Sequence, residues 1–271
     1  MSLPMFGPED GPGPNFTEVL RRVGLDPFAP VTTTGSPSFE IRHGTTIVAL
    51  RYQGGVVMAG DRRATAGSSI AHRSMEKVHP ADRHSGVAIA GAAGTAMEMV
   101  RLFQLQLEHY EKVEGSPISL EGKANQLSQM VRSNLAMAMQ GFVVVPLFAG
   151  FDVRRGVGRI YSYDVTGGRY EETDYHADGS GGRDARTTVK LGWRPDLSRN
   201  DAVELAVRAL WQAADEDSAT GGPDAVRGIY PTVATITEQG FLLLEQAEVA
   251  ERFAAVVATA SDSAPAEERP L

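Results

Sequence analysis

Apolar residues recur in two rhythms along this chain. In the first, they fall three and four positions apart. Val100, Phe103, Leu107 and Tyr110 share one face and predict a helix over 95–112, which Gly115 and Pro117 close. Leu127, Met130, Val131, Leu135 and Ala138 predict a second helix over 120–140. Val203, Val207, Leu210 and Ala214 predict a third over 201–214, with Ser198 as its candidate cap. A helical segment runs from the glycine-rich stretch 178–182 to about Leu191, and a last helix covers about 247–257. In the second rhythm, apolar runs are short and bounded by turn residues. They predict strands at 45–52 and 56–60, joined at Gln53-Gly54-Gly55. Further strands fit 75–78, 86–90, 147–153, 159–164, 232–237 and 240–244, with a turn at Thr166-Gly167-Gly168. Strand pairs separated by helical pairs predict an α+β fold, two sheets sandwiched between helix layers.

The two ends of the chain read differently from the middle. Residues 1–44 are rich in Pro and Gly and carry the run Thr32-Thr33-Thr34-Gly35-Ser36-Pro37-Ser38. One short amphipathic helix fits there: Asn15 caps it, Glu18 follows three residues on, Phe16, Val19, Leu20 and Val23 share a face, and Pro27 ends it. Such a segment either docks on a partner surface or is a disordered tail. Residues 261–271 form a polar, Pro-containing tail, which leaves 45–260 as the folded domain.

Charge and cysteine content remove several classes of function. The net charge is −8, which argues against a basic face for nucleic acid or anionic lipid. There are no cysteines, so disulfides, thiolate catalysis and zinc–thiolate sites are excluded, and a reducing cytoplasm is compatible. The longest apolar run, 141–151, is interrupted by Pro146 and falls short of the roughly 20 residues that span a bilayer. The first ten residues have no basic start and no apolar core, so they do not read as a secretory signal. The six histidines show no metal-ligand spacing, and no cofactor motif is present.

The candidate chemistry begins at His43-Gly44-Thr45-Thr46-Ile47-Val48-Ala49-Leu50. On its face this is a buried strand after a turn. It is also a possible cleavage point. A cut between Gly44 and Thr45 would put a hydroxyl and a free α-amine on one residue. That amine titrates at roughly 7.7–8.0, against about 10.4 for lysine, so it can serve as base for the hydroxyl near neutrality. Asp61 follows the apolar run 56–59 and is either a turn residue or a carboxylate placed beside a catalytic centre. Lys77 is either an edge-strand surface lysine or a buried ammonium that needs a counter-ion, for which Asp61 is the natural partner. Ala90-Gly91-Ala92-Ala93-Gly94-Thr95 joins a strand to a helix, where backbone N–H groups can face an oxyanion. The stretch 214–222 fails as a calcium loop, because Ala219, Thr220 and Val226 fall where a ligand, a glycine and the final Glu are required. It leaves Asp215 and Ser218, a carboxylate and a hydroxyl three apart at a helix end.

Together these pieces resemble the β subunit of a 20S proteasome of the actinobacterial type. The resemblance covers 45–257 and rests on the order and spacing of Gly44-Thr45-Thr46-Ile47, Gly60-Asp61-Arg62-Arg63-Ala64-Thr65, Lys77-Val78, Ala90-Gly91-Ala92-Ala93-Gly94, Gly179-Ser180-Gly181-Gly182 and the stretch 215–222. It implies an N-terminal-nucleophile hydrolase with an αββα sandwich. By that resemblance Thr45 is nucleophile and, through its amine, base. Lys77 supplies positive charge, Asp61 pairs with it, and the Gly91 N–H forms the oxyanion hole. Ser180, Asp215 and Ser218 hold the amine and the proton path. Thr65 and Ala93 hydrogen-bond the substrate backbone as an added strand. Ala64, Met75, His79, Ile89, Ala93 and Met97 line the pocket for the residue before the cut. Five of those six are apolar, which implies a preference for apolar residues; His79 is the polar exception.

The resemblance further implies that 1–44 is a propeptide removed by Thr45 itself, in a cytoplasmic protein. The implied partners are α subunits, other β subunits in an α7β7β7α7 stack of heptameric rings, a regulatory ATPase ring and pupylated protein substrates. A two-ring bacterial heat-shock peptidase of the same fold also starts Thr-Thr-Ile-Val, but it has Gly-Gln where this chain has Arg62-Arg63. A non-catalytic structural ring subunit would lack the exposed Thr. An N-terminal-nucleophile amidohydrolase acting on a small amide is disfavoured by Arg62-Arg63-Ala64-Thr65 and the Ser218-containing stretch.

Overall fold

The computed structural model of the chain describes residues 44–67 and 69–263, together with residues 17, 18 and 21. Thr17, Glu18 and Arg21 are helical, in keeping with the short helix expected there. Its cap Asn15 and the apolar face of Phe16, Val19, Leu20 and Val23 lie outside the described residues.

Two five-stranded antiparallel sheets form the centre. The first has the order β10-β1-β2-β11-β12, from Tyr175–Gly179 (β10), Thr46–Tyr52 (β1), Gly55–Gly60 (β2), Thr232–Thr237 (β11) and Gly240–Leu243 (β12). The second has the order β5-β6-β7-β8-β9, from Val78–Asp82, Ser85–Gly91, Val144–Asp152, Val157–Tyr163 and Arg169–Glu172. A separate hairpin, β3 (Ala64–Ala66) with β4 (Ser69–His72), stands off the first sheet. The helices are α1 (Ala93–Glu114), α2 (Leu120–Ser133), α3 (Leu135–Ala138), α4 (Gly182–Gly192), α5 (Arg199–Glu216) and α6 (Gln246–Ser263).

The alternation of side chains explains the layering. In β1, Val48 and Leu50 pack with Val203, Val207 and Leu210 of α5, while Ile47 and Ala49 face the other sheet. In β7, Phe148 packs on Phe103 of α1, while Leu147 and Ala149 meet Ile47 and Met58 between the sheets. Both faces of these strands are therefore buried, which is why they read as continuous apolar runs. Small residues recur in the middle layer (Ala49, Ala88, Ala90, Ala149 and Ala234) and let the two sheets pack closely. Helices α4, α5 and α6 cover one sheet and α1 and α2 the other, so the order is helix, sheet, sheet, helix. Leu50, Met58, Phe103 and Leu210 are fully buried. Burying each contributes about 1.5–3 kcal/mol.

The expected elements return with shifted ends. The predicted helix over 120–140 is interrupted at Asn134, whose φ of −81° and ψ of 0° end α2 before the single turn of α3. The strand expected at 75–78 begins only at Val78. The hairpin β3–β4 and the strands β9 and β10 had no expected counterpart. They are three to five residues long, and much of their surface is exposed or half-buried, so they lack an apolar signal. Helix α6 continues to Ser263, into the stretch expected to be tail. Among the described residues no helix is long and apolar enough to cross a membrane.

Candidate active site

The site lies at the head of β1. Gly44 and Thr45 are both buried. The Thr45 N–H donates to Ser180 Oγ at 3.3 Å, and the Thr45 carbonyl accepts the Ser180 N–H at 2.8 Å. Ser180 follows β10, the strand paired with β1, so sheet register brings it here across 135 residues of sequence. The Gly44 N–H donates to Thr65 Oγ1 at 3.1 Å. No side chain is tolerated at 44: a Cβ there would lie 1.9 Å from Ala219 Cβ.

A buried ion pair stands beside them. Asp61 directly follows β2, which pairs with β1, and Lys77 immediately precedes β5. Lys77 Nζ donates to Asp61 Oδ1 at 2.6 Å, to the Arg63 carbonyl at 2.6 Å and to the Gly44 carbonyl at 3.4 Å. The two side chains are 3% and 0% exposed. Such a pair persists only if the remaining lone pairs are filled. Here Asp61 Oδ1 also accepts the Thr46 N–H at 2.8 Å, and Oδ2 accepts the N–H groups of Arg63 and Gly221 at 2.9 and 2.8 Å. Burial lowers the Lys77 pKa from its ordinary value, and the Asp61 carboxylate opposes that shift without cancelling it.

A second network runs away from Thr45 through hydroxyls. Ser180 Oγ donates to Asp217 Oδ2 at 2.5 Å, and Thr220 Oγ1 donates to the same oxygen at 2.6 Å. Thr46 Oγ1 lies 2.6 Å from Thr220 Oγ1 and accepts the Gly181 N–H at 3.0 Å. Burial pushes the Asp217 carboxyl up, but hydrogen bonds from Ser180, Thr220 and the Ala219 N–H outweigh it and hold the group below its ordinary value. Asp217 is therefore a carboxylate at neutral pH that fixes the orientation of Ser180.

Gly91 ends β6 with φ +121°, a conformation suited to glycine, and a Cβ there would meet the Val143 carbonyl at 2.0 Å. With Gly44, Thr45 and Lys77 it lines a small pocket. Ala64, Met75, His79, Ile89, Ala93 and Met97 line the same pocket. Burial lowers the His79 pKa below that of a free imidazole.

This arrangement can be set against known proteins. Residues 41–227 match the model of the proteasome subunit family. The chain belongs to that family. A proteasome subunit beta of Acidimicrobium ferrooxidans is 61% identical over 251 residues, covering 93% of this chain and 92% of that protein. One of Streptomyces griseus is 62% identical over 212 residues, covering 78% of this chain and 75% of its own. One of Jonesia denitrificans is 57% identical over 246 residues, covering 88% and 80%. The αββα layering described above is in keeping with membership of the proteasome family.

The structure brings Thr45, Asp61, Lys77, Gly91, Ser180, Thr65 and the pocket residues together. It does not bring Asp215 and Ser218 to them. Asp215 is an exposed residue of the last turn of α5, and neither its side chain nor that of Ser218 hydrogen-bonds to Thr45 or Ser180 among the described residues. The positions expected of that pair are held by Asp217 and Thr220. Helix α5 stops at Glu216, and Asp217, with φ −110° and ψ 109°, turns the chain inward. Asp217 and Thr220 carry the same carboxylate-to-hydroxyl spacing of three, so the signal was in the sequence, offset by the unknown end of the helix.

Proposed function

We propose that this chain is the proteolytic β subunit of a 20S core particle, a threonine endopeptidase freed by its own cleavage after Gly44. The observation that carries the reading is the set of groups around the Gly44–Thr45 bond, with Ser180 on one side and Lys77 and Thr65 on the other. Thr45 Oγ attacks the Gly44 carbonyl carbon, the C–N bond breaks, and the leader is left as an ester on Thr45. Water hydrolyses that ester and releases residues 1–44 with a new carboxylate. The freed amine stays beside Ser180 and takes the proton from Thr45 Oγ in later attacks on substrate. The Lys77 ammonium favours the charged form of the nucleophile, and the Gly91 N–H is the donor for the oxyanion.

The pocket beside Thr45 supports a preference for apolar residues before the cut, with Thr65 and Ala93 pairing with the substrate backbone. The particle is a stack of heptameric β rings between α rings, cytoplasmic, fed by an ATPase ring with pupylated proteins. The test is the intact mass of the chain, alone and after mixing with its α partner. Loss of 44 residues, with Thr45 first, is the expected result in the assembled particle, and the Thr45→Ala variant keeps them. A wild-type chain that keeps its leader in assembled particles and cleaves no peptide would overturn the reading in favour of a structural ring subunit.

A further inference from the structure

A second recess adjoins the site, and its charge is one-sided. Arg62, Arg63 and Arg73 line it with Gly221, Gly222 and Tyr230. Its one carboxylate, Asp224, is already held by Arg227 at 2.7 Å. None of the three lining arginines has a salt bridge among the described residues. Arg62 Nη2 donates to the Ser74 carbonyl at 2.9 Å and Arg63 Nη1 to the Ser218 carbonyl at 2.8 Å, while Arg62 Nε is buried with no partner among the described residues. The three cations repel one another, and the half-buried Arg62 and Arg63 also lose hydration. A guanidinium fork fits a carboxylate with two parallel hydrogen bonds, so an anionic side chain would relieve both costs.

The recess has a defined place relative to Thr45. Asp61 lies between them: its Oδ1 takes Lys77 and the Thr46 N–H, and its Oδ2 takes the N–H groups of Arg63 and Gly221. Arg63 reaches the carbonyl of Ser218, the residue after Asp217. The recess is thus on the Ser180–Asp217 side of Thr45, whereas the apolar pocket is on the Gly91–Met97 side. With the residue before the cut in the apolar pocket, the other side of Thr45 is left for the segment after it.

We propose that the recess of Arg62, Arg63 and Arg73 binds an acidic side chain in the segment after the cut, so that the protease favours Asp or Glu in the leaving peptide. This rests on the proteolytic reading of Thr45 given above. The test uses the particle assembled with α subunits and internally quenched peptides. They are identical up to the cut and carry Glu, Ala or Lys at successive positions after it. For at least one position, kcat/KM for Glu exceeds that for Lys by about fivefold at low salt, and the ratio shrinks as salt is added. Arg73 is exposed, so its replacement leaves the fold intact. Arg73→Ala lowers the ratio and Arg73→Glu reverses it.

Equal rates for Glu and Lys at every position overturn the proposal, as does a ratio that Arg73→Glu leaves unmoved. Inorganic phosphate separates the other source of anion. If it binds the particle by calorimetry in an Arg73-dependent way while the peptides show no charge preference, the recess is a site for free phosphate and not for substrate. If no peptide is cleaved by the wild type any faster than by Thr45→Ala, the proteolytic reading itself falls, and this one with it.

Discussion

A carboxylate on the last turn of a helix and one on its cap residue are two positions apart and meet different surroundings. Asp215 remains on α5 and faces solvent. Asp217 has left the helical conformation, and its carboxylate receives Ser180, Thr220 and the Ala219 N–H. Ser180 in turn holds the nitrogen of Thr45. Asp217→Asn removes the charge that orients Ser180 and supports proton transfer. Its kcat on a short peptide is expected to fall by about 10²-fold, the scale of a lost acid–base contribution, with KM little changed. Asp215→Asn is expected to retain wild-type kcat. Steady-state kinetics of the two variants in parallel, each checked for an intact fold by its thermal transition, decide between them. The same reversal of effects would show that Asp215 reaches Thr45 in the assembled particle. The residues gathered around Thr45 were thus legible where the family resemblance assigns a position, as at Asp61, Lys77 and Ser180, which by themselves read equally as turn or surface residues. They were ambiguous where two equivalent spacings overlap and only the helix end chooses. The arginine recess had no signal at all, because Arg73 reaches Arg62 through a hairpin too short and too exposed to read.

The elements show the same division. Long helices announce themselves because a face of four or five apolar side chains repeats over several turns, and central strands because both their faces are buried. The edge strands β9 and β10 do neither. Between elements, one polar contact stands out. Lys123 of α2 is 5% exposed and is paired to Asp82 of β5, so an ammonium crosses an otherwise apolar helix–sheet contact. Asp82 also accepts the His84 N–H at 3.0 Å and Ser85 Oγ at 2.6 Å, which pins the turn between β5 and β6. Removing one partner of a buried pair leaves the other charge uncompensated. Lys123→Ala is expected to lower stability by about 3 kcal/mol, the low end for such pairs, because Asp82 keeps its two other hydrogen bonds. Lys123→Met with Asp82→Asn, which removes both charges, is expected to recover most of that loss. Urea unfolding of the three chains measures both differences. Equal losses in the single and double variants would mean that Lys123 stabilises through its methylene stem and not its charge.

At the scale of the molecule, the site exists only when distant pieces of chain are in register. Thr45 and Ser180 meet through β1 and β10, Asp61 comes just after β2, Lys77 just before the first strand of the second sheet, and Asp217 from the end of α5. Gly44 occupies the centre of this assembly. Its N–H is on Thr65 Oγ1 and its carbonyl faces Lys77, with the peptide nitrogen of Thr45 on Ser180. Those are groups that an incoming peptide needs, so under the proteolytic reading the leader and a substrate exclude each other. The uncut chain also lacks the amine that would serve as base. Latency would then follow from two separate causes, an occupied cleft and a missing base, and a covalent probe tells them apart from slow folding. A peptide vinyl sulfone with an apolar residue next to its warhead reacts with a free threonine hydroxyl. Over a time course of assembly with α subunits, the fraction of chain labelled is expected to equal the fraction that has lost residues 1–44, both read from one intact-mass spectrum. No species carrying both leader and probe is expected. A doubly marked species would mean that the cleft is open and Thr45 is active before the cut, and that the Gly44 contacts do not guard it.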